Sequence, residues 1–291
     1  MATRFGLSLP VVQQIPGRSG AWEAAAGADA ILATVVAAER LGFSHVSACD
    51  HVAIPQTAAA GTVWYDAAVT LAFVASATRH IRLLSHVVVL PYRHPLLIAK
   101  MFATLDRLSN GRVILGAGVG HLQSEFRALA VRFEDRGAIG DEYLQAIQAA
   151  WESAAASFSG RFVAFHNVSV APRPHQQPRP PIWVGGNSAR RAGRFGDGWI
   201  PWSIGPGEFA TLAANARQAR AARGRREVPF ECVAPLAVGL DDTAAEISAR
   251  VATWLEAGAT WFHVGSAHRS LEHLLERMAA FADACRLESP A

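Results

Sequence analysis

Short runs rich in β-branched and aromatic residues alternate along the chain with longer stretches of helical period. The first run, Arg4–Leu9, predicts a strand. Asp29 to Leu41 predicts a helix, with Ile31, Leu32, Val35 and Val36 on one face and Gly42 as its stop. Phe43–Cys49 predicts a second strand and Tyr65 to Thr78 a second helix, beginning next to Asp66. Ile81–Leu90 is apolar almost throughout, the pattern of a strand buried on both faces. Pro95 to Leu108 reads as a third helix, opened by proline and closed by an Asn110-Gly111 turn. Arg112–Gly116 follows as a fourth strand, and Leu122 to Ala156 holds one or two helices.

The alternation then breaks. Phe158–Val170 predicts a β-hairpin, and residues 172–181 contain prolines 172, 174, 178, 180 and 181, which neither a helix nor a central strand accepts. Beyond it the alternation resumes, so we read an insertion around residues 157–181 rather than a domain boundary. Ile182–Val184, Gly198–Pro201, Val228–Val238 and Thr260–Val264 carry strands five to eight. Helices follow from Ser188, from Gly207 to Arg223, and from Asp241 to Glu256. The last helix places Leu271, Leu274, Leu275, Met278, Phe281 and Cys285 at helical spacing. Eight strand–helix units imply a parallel sheet closed as an α/β (β/α)8 TIM barrel, one domain over 1–291, with its site at the C-terminal ends of the strands. A doubly wound sheet is the alternative, but Gly116-Ala117-Gly118-Val119-Gly120 is not the GxGxxG dinucleotide fingerprint.

Composition narrows the classes. The chain has 291 residues, 27 basic and 24 acidic, for a net charge of +3. So small a charge gives no electrostatic footprint for nucleic acid or an anionic membrane. The arginines from Arg217 to Arg226 lie at helical spacing and read as a solvated face. The longest apolar stretch, Ala67 to Ala77, is far below the roughly 18 residues of a membrane helix. Cys49, Cys232 and Cys285 are odd in number and widely spaced, which predicts reduced thiols, no zinc site and, with no signal-peptide pattern, a cytoplasmic protein.

If the site lies at the strand ends, the residues just after each strand are its candidates. Asp50-His51 follows the second strand, as an acid/base pair or a hydrogen-bonded structural pair. His86 lies inside the third, as a core residue or one pointing into the mouth. Gly116, Gly118 and Gly120 precede His121 and leave room for a ligand near the backbone, or merely form a tight turn. Gly185-Gly186-Asn187-Ser188, followed by Arg190-Arg191, offers backbone N–H groups and a helix start to a phosphate, or is simply a capped loop. Trp64 and Trp202 stand near strand ends as candidate walls of a substrate pocket. The loops at 52–64, 121–135 and 158–180 are expected to shape it. No HxH or HExxH pattern occurs, so no metal site is expected.

Several strings together resemble the bacterial luciferase-like monooxygenase superfamily: Cys49-Asp50-His51, Leu90 to Lys100, Ala103 to Arg112, Gly116–Gly120 with Glu125-Phe126, Pro181 to Ser188, and Gly196 to Trp199. The resemblance is collinear from about residue 4 to residue 280. It implies a TIM barrel with an insertion, a homodimer, and either coenzyme F420 or FMN, and the whole-chain pattern is most similar to the F420-dependent branch. By the resemblance, Asp50 contacts the deazaflavin ring and His51 is the acid/base candidate. A cis peptide at or beside His86–Val87 backs the ring, and Gly185 to Ser188 hold the phosphate. A related sugar-phosphate dehydrogenase group carries a glutamate acid where this chain has His121, so that substrate does not transfer, and His121 stands as a second catalytic candidate. The implied activity is hydride transfer between F420 and a small organic substrate. An FMN-dependent monooxygenase and a non-catalytic flavin- or deazaflavin-binding paralogue are the alternatives.

Overall fold

The computed structural model describes residues 3–55 and 61–289. Eight parallel strands form one ring: β1 (Arg4–Ser8), β2 (His45–Ala48), β3 (Arg82–Ser85), β4 (Val113–Gly118), β5 (Ile182–Gly185), β6 (Gly198–Ile200), β7 (Glu231–Val238) and β8 (Trp261–Ser266). The ring closes because Leu7 of β1 stands opposite Val46 of β2 on one side and Val264 of β8 on the other. Leu84, Ile114, Trp183, Ile200, Val233 and Trp261 form a separate buried cluster inside it. The lower barrel is therefore a packed core, and only its upper end is left for chemistry.

The helices start where the side chains cap them. The Asp66 carboxylate accepts the Val69 N–H at 3.0 Å and opens α2 (Ala67–Ser76). Pro95 sits in the first turn of α3 (Pro95–Leu108), and a Thr243/Glu246 capping box opens the helix Ala244–Glu256. The first helix, α1 (Ala28–Arg40), buries Ile31 and Val35 but leaves Val36 exposed. Two helices, α4 (Gln123–Ala128) and α5 (Arg136–Glu152), fill the span expected to hold one or two. The insertion is a two-stranded hairpin, Ala156–Ser159 against Ala164–Val168, with the Glu142 carboxylate of α5 accepting the N–H groups of Arg161, Phe162 and Val163. Among the described residues, no helix is long and apolar enough to cross a membrane.

Two expectations need correction. The apolar run Ile81–Leu90 is not one strand. It leaves the sheet after Ser85, passes a cis His86–Val87 peptide, rejoins β4 at Val88–Val89 and turns at Leu90–Tyr92. Both halves are buried, so hydrophobicity alone shows no break. The arginine-rich helix Pro206–Ala221 does not present a purely solvated face. Arg220 is 2% exposed, and its guanidinium donates to the carbonyls of Gly196, Val228 and Pro229. Helical spacing does not reveal that the next loop folds back over that residue. Trp64 belongs to a two-residue strand, Val63–Trp64, paired with Gln13–Gln14. Residues 56–60 of the loop expected to shape the pocket lie outside the described residues.

Candidate functional site

The upper end of the barrel gathers most of the residues singled out from the sequence. His51 leaves β2 and packs its ring 4.2 Å from Trp64 and 6.1 Å from His121, and His121 in turn lies 5.3 Å from Trp202. Four aromatic rings thus form one row, His51 and Trp64 from the connection after β2, His121 from that after β4 and Trp202 from that after β6.

His51 is not oriented by its neighbour Asp50. Its Nδ1 lies 2.9 Å from Oε2 of Glu125, a side chain on α4 with no exposed surface. The same oxygen accepts the Tyr92 hydroxyl at 2.9 Å, while Oε1 accepts the N–H groups of Val52 at 2.5 Å and Ala53 at 3.1 Å. Four donors fill the four acceptor positions of a carboxylate. Burial works to raise the Glu125 pKa, but the hydrogen bonds from His51, Val52 and Ala53 outweigh it and hold it at about 2. Glu125 is therefore an ionised, saturated acceptor, and the His51 Nδ1 carries its proton toward it. Nε2 is left as the ring nitrogen free of that contact. Burial, then the bond to Glu125, raises the Tyr92 phenol well above its usual value, so Tyr92 stays a donor.

Asp50 does a different job. Its two oxygens take a bidentate pair from Arg93 at 2.7 and 2.8 Å, and Oδ2 also accepts the Val89 N–H at 3.0 Å. Arg93 reaches on to Asp66 at 3.1 Å. The carboxylate is buried and occupied, tying the end of β2 to the segment beyond the cis peptide. The expectation that Asp50 and His51 act as a pair is thus corrected: adjacent residues of a strand end point to opposite sides.

His86 packs its ring 4.2 Å from His263, whose Nε2 contacts the hydroxyls of Ser8 at 2.8 Å and Ser47 at 3.3 Å. His45 lies below, stacked 5.8 Å from His263. Burial pushes His86 down to about 4 and His45 to about 3, and lowers His263 well below the usual histidine value, so all three are neutral at pH 7. Nδ1 of His263 is buried with no hydrogen-bond partner, as is Nε1 of Trp64.

The glycines divide into two kinds. A Cβ on Gly116 would fall on the Ser85 carbonyl oxygen. One on Gly118 would come 2.5 Å from Cγ2 of Val87, and one on Gly185 2.5 Å from Cγ1 of the same side chain. One on Gly120 would come 2.8 Å from Phe126 and Val89. The space at these positions belongs to the protein, not to a ligand, which corrects the reading of the Gly116–Gly120 run. Gly186 is different: at φ +84° it has nothing within 4 Å of where a side chain would begin. Asn187 Oδ1 accepts the Trp202 N–H at 3.2 Å, and Ser188 precedes the helix Ala189–Phe195 without a side-chain cap. Arg191 is consumed by Asp141 and the Gly137 carbonyl, leaving Arg190 exposed beside the loop.

Cys49, next to Asp50, is no nucleophile. Burial and then Asp50 push its thiol up to about 12, and Sγ donates to Gln13 Oε1 at 2.9 Å. Glu125, Tyr92 and Arg93 were missed as functional residues. The one available signal was a glutamate beside Phe126, in a short helix directly after a strand-end loop.

A family model described as luciferase-like monooxygenase matches residues 3–288. The F420-dependent glucose-6-phosphate dehydrogenase of Kineococcus radiotolerans is 30% identical over 270 residues, 88% of this chain and 76% of its own length. An FMNH2-dependent dimethylsulfone monooxygenase of Pseudomonas putida is 30% identical over 155 residues, 52% of this chain and 41% of its own. Among solved structures, an F420-dependent secondary alcohol dehydrogenase in complex with an F420–acetone adduct superposes with a TM-score of 0.80. It is 17% identical and covers 98% of both chains.

Proposed function

The chain belongs to the luciferase-like monooxygenase family, and from that premise we propose that it is an F420-dependent oxidoreductase moving a hydride between the deazaflavin and a small organic substrate. The observation that carries the reading is the His51–Glu125 contact of 2.9 Å, which fixes one proton-exchanging nitrogen beside Trp64 and His121. The preference for the deazaflavin over FMN rests on the relatives. The F420-dependent one aligns with 88% of this chain and the FMNH2-dependent one with 52%.

The residues fit a ring carrying a phosphate tail. The unpartnered, buried Nδ1 of His263 offers a polar contact under the mouth. Gly186 leaves open space for an anion beside Arg190, while its own N–H is donated to the Ile200 carbonyl at 2.9 Å. Val87, wedged between Gly118 and Gly185, gives the mouth a fixed apolar shoulder. When bound, the deazaflavin supplies a carbon that gives up or accepts a hydride. The chain supplies the rest. His51 delivers a proton from Nε2 to the substrate oxygen, or removes one in the reverse direction. Glu125 and Tyr92 keep the Nδ1 proton in place and offset the charge that His51 gains. Asp50 and Arg93 hold the segment from Val87 to Arg93 that shapes the floor.

Titration of the purified protein with oxidised and reduced deazaflavin tests the assignment. A saturable fluorescence change is expected, and no change at ligand excess overturns it. Oxygen uptake with reduced FMN and substrate would move the protein to the monooxygenase reading. Tight coenzyme binding with hydride transfer to no substrate would make it a non-catalytic binder.

A further inference from the structure

We propose that the substrate taken by this site is an uncharged molecule with a planar aromatic body, held against the row of rings from Trp64 to Trp202; the inference rests on the reading of the barrel mouth given above.

The first argument is the ring row itself. Trp64, His51, His121 and Trp202 are linked by centroid distances of 4.2, 6.1 and 5.3 Å. They come from the connections after β2, β4 and β6, which meet at the mouth. The two imidazoles meet at 85°, so a flat π-system meets one end of the row, Trp64 with His51 or His121 with Trp202, by offset or edge contact at about 0.5–1.5 kcal/mol per ring pair beyond area burial.

The second argument is exposure. Trp202 is 62% exposed, so its ring, 5.3 Å from His121, puts open apolar surface at the end of the row. Apolar surface gathered at a site mouth marks an apolar ligand.

The third is charge. Arg93 is held by Asp50 and Asp66, Arg191 by Asp141, Arg132 by Asp135 and Arg269 by Asp241. Arg136 stacks 3.7 Å over Phe133. Among the described residues, no arginine or lysine pairs with or stacks on any of the four rings. Residues 56–60 add no charge. Of the unpaired cations around this end, Arg18 lies at an exposed loop tip. Arg127 lies two residues from the buried Glu125, on the opposite helix face, and Arg190 sits at the Gly186 loop. A phosphate or carboxylate on the substrate would thus lose its hydration with no counter-charge to meet it. Glu125 is saturated and offers nothing to a substrate cation. What remains for the polar end is the pair His51 and His121, suited to a carbonyl or hydroxyl oxygen. Reduction of such a ketone is balanced: the carbonyl carbon takes the hydride, and the oxygen takes a proton from His51 Nε2.

The test uses acetophenone, acetone and glucose 6-phosphate. Holoenzyme loaded with reduced deazaflavin is assayed for reduction of the two ketones, and with oxidised deazaflavin for oxidation of the sugar phosphate. We expect kcat/KM at least about tenfold higher for acetophenone than for acetone, the effect of about one or two ring contacts, and no turnover of glucose 6-phosphate. Trp64→Ala and Trp202→Ala should raise KM for acetophenone more than for acetone, with the phenylalanine variants restoring most of it. Efficient turnover of the sugar phosphate, or equal effects on both ketones, overturns the proposal. Saturation-transfer NMR of acetophenone on the protein without coenzyme separates the two readings. Binding that disappears in both alanine variants upholds the ring row even if the deazaflavin fails to bind. Normal deazaflavin binding with no acetophenone contact sinks this inference alone.

Discussion

Nδ1 of His51 lies 2.9 Å from Oε2 of Glu125, and that carboxylate is wholly buried while accepting three further hydrogen bonds. A residue 74 positions away, and not the adjacent Asp50, thus sets the tautomer of the imidazole. Glu125→Gln places an amide N–H2 where only acceptors fit. At least one of the four donors loses its partner, so the variant should lose about 2–4 kcal/mol of stability. Coenzyme-dependent turnover should fall about 100-fold, since His51 is then free to adopt the wrong tautomer. Denaturant unfolding and steady-state rates check both. Unchanged turnover would show that His51 needs no orienting partner.

The same carboxylate gives a pH signature. Its pKa is about 2 in the fold, against an ordinary value of 4.5. A depressed carboxyl pKa contributes stability that is complete above 4.5 and is lost as pH falls through about 2. The native protein should therefore lose stability across that window. Glu125→Gln should flatten that part of the curve; an equally steep acid limb in the variant would mean that other carboxylates are responsible.

A second pH window comes from the histidines inside the barrel. His45 titrates near 3 and His86 near 4 in the fold, against 6.5 when solvated. Below 6.5 the unfolded chain takes up protons that the folded one refuses. Stability held above 6.5 is lost as pH falls toward 4, before Glu125 begins to protonate. His45→Leu removes one of these groups: Nε2 of His45 has no partner, and the Ser44 hydroxyl that meets its Nδ1 at 3.1 Å keeps its bond to the Phe5 carbonyl. The loss of stability between pH 6 and 4 should become shallower by about 1 kcal/mol per pH unit. Urea unfolding at three pH values decides it, and an unaltered slope rejects the idea.

Much of the barrel was legible because its signals are local. Strand and helix periods, Pro95 at a helix start and the proline-rich insertion each depend on residues close in sequence. The site was legible only by position. His51, His121, Trp64 and Trp202 could be placed after strands, and the structure brings them into one row. Their partners were not legible. Glu125 reaches His51 from another βα unit, and Arg93 reaches Asp50 from 43 residues away. Such pairs depend on how strands are ordered around the ring, and no periodicity encodes them. The glycines failed for the opposite reason. Gly118 was read as room for a ligand because its spacing is visible and the side chain that fills it, Val87, comes from the break between Ser85 and Val88.

Asp50 and Arg93 form a bidentate pair at 2.7 and 2.8 Å with the carboxylate side chain 1% exposed. Removing Asp50 alone strands Arg93, which retains only the partly exposed Asp66; removing both strands neither. Asp50→Ala should cost about 3 kcal/mol, and Asp50→Ala/Arg93→Ala should cost less than the sum of the single changes by at least about 1 kcal/mol. A double-mutant cycle of unfolding free energies measures this. Strict additivity would mean that Asp50 acts through Val89 alone.

Val87 supplies the sharpest test of how the mouth is built. Its Cγ2 stands 2.5 Å from where a Cβ on Gly118 would lie, and its Cγ1 stands 2.5 Å from the corresponding point on Gly185. No real Cβ tolerates either contact, so Gly118→Ala and Gly185→Ala should each displace Val87, destabilising the protein by about 1–3 kcal/mol and weakening coenzyme binding. Val87→Ala removes both methyls. The nearest remaining atom, Cβ of Val87, would be 3.5 Å from the new methyl at 118 and 3.4 Å from that at 185, both ordinary contacts. Val87→Ala should therefore rescue stability in either glycine variant, while being mildly destabilising by itself. Gly186→Ala makes the contrasting control. It meets no atom but holds φ +84°, so it should cost about 1 kcal/mol through backbone strain, and Val87→Ala should not relieve it. Thermal unfolding of the seven single and double variants separates the two mechanisms. A rescue of Gly186→Ala, or none for Gly118→Ala, would show that the glycines ending β4 and β5 do not serve as the socket for Val87.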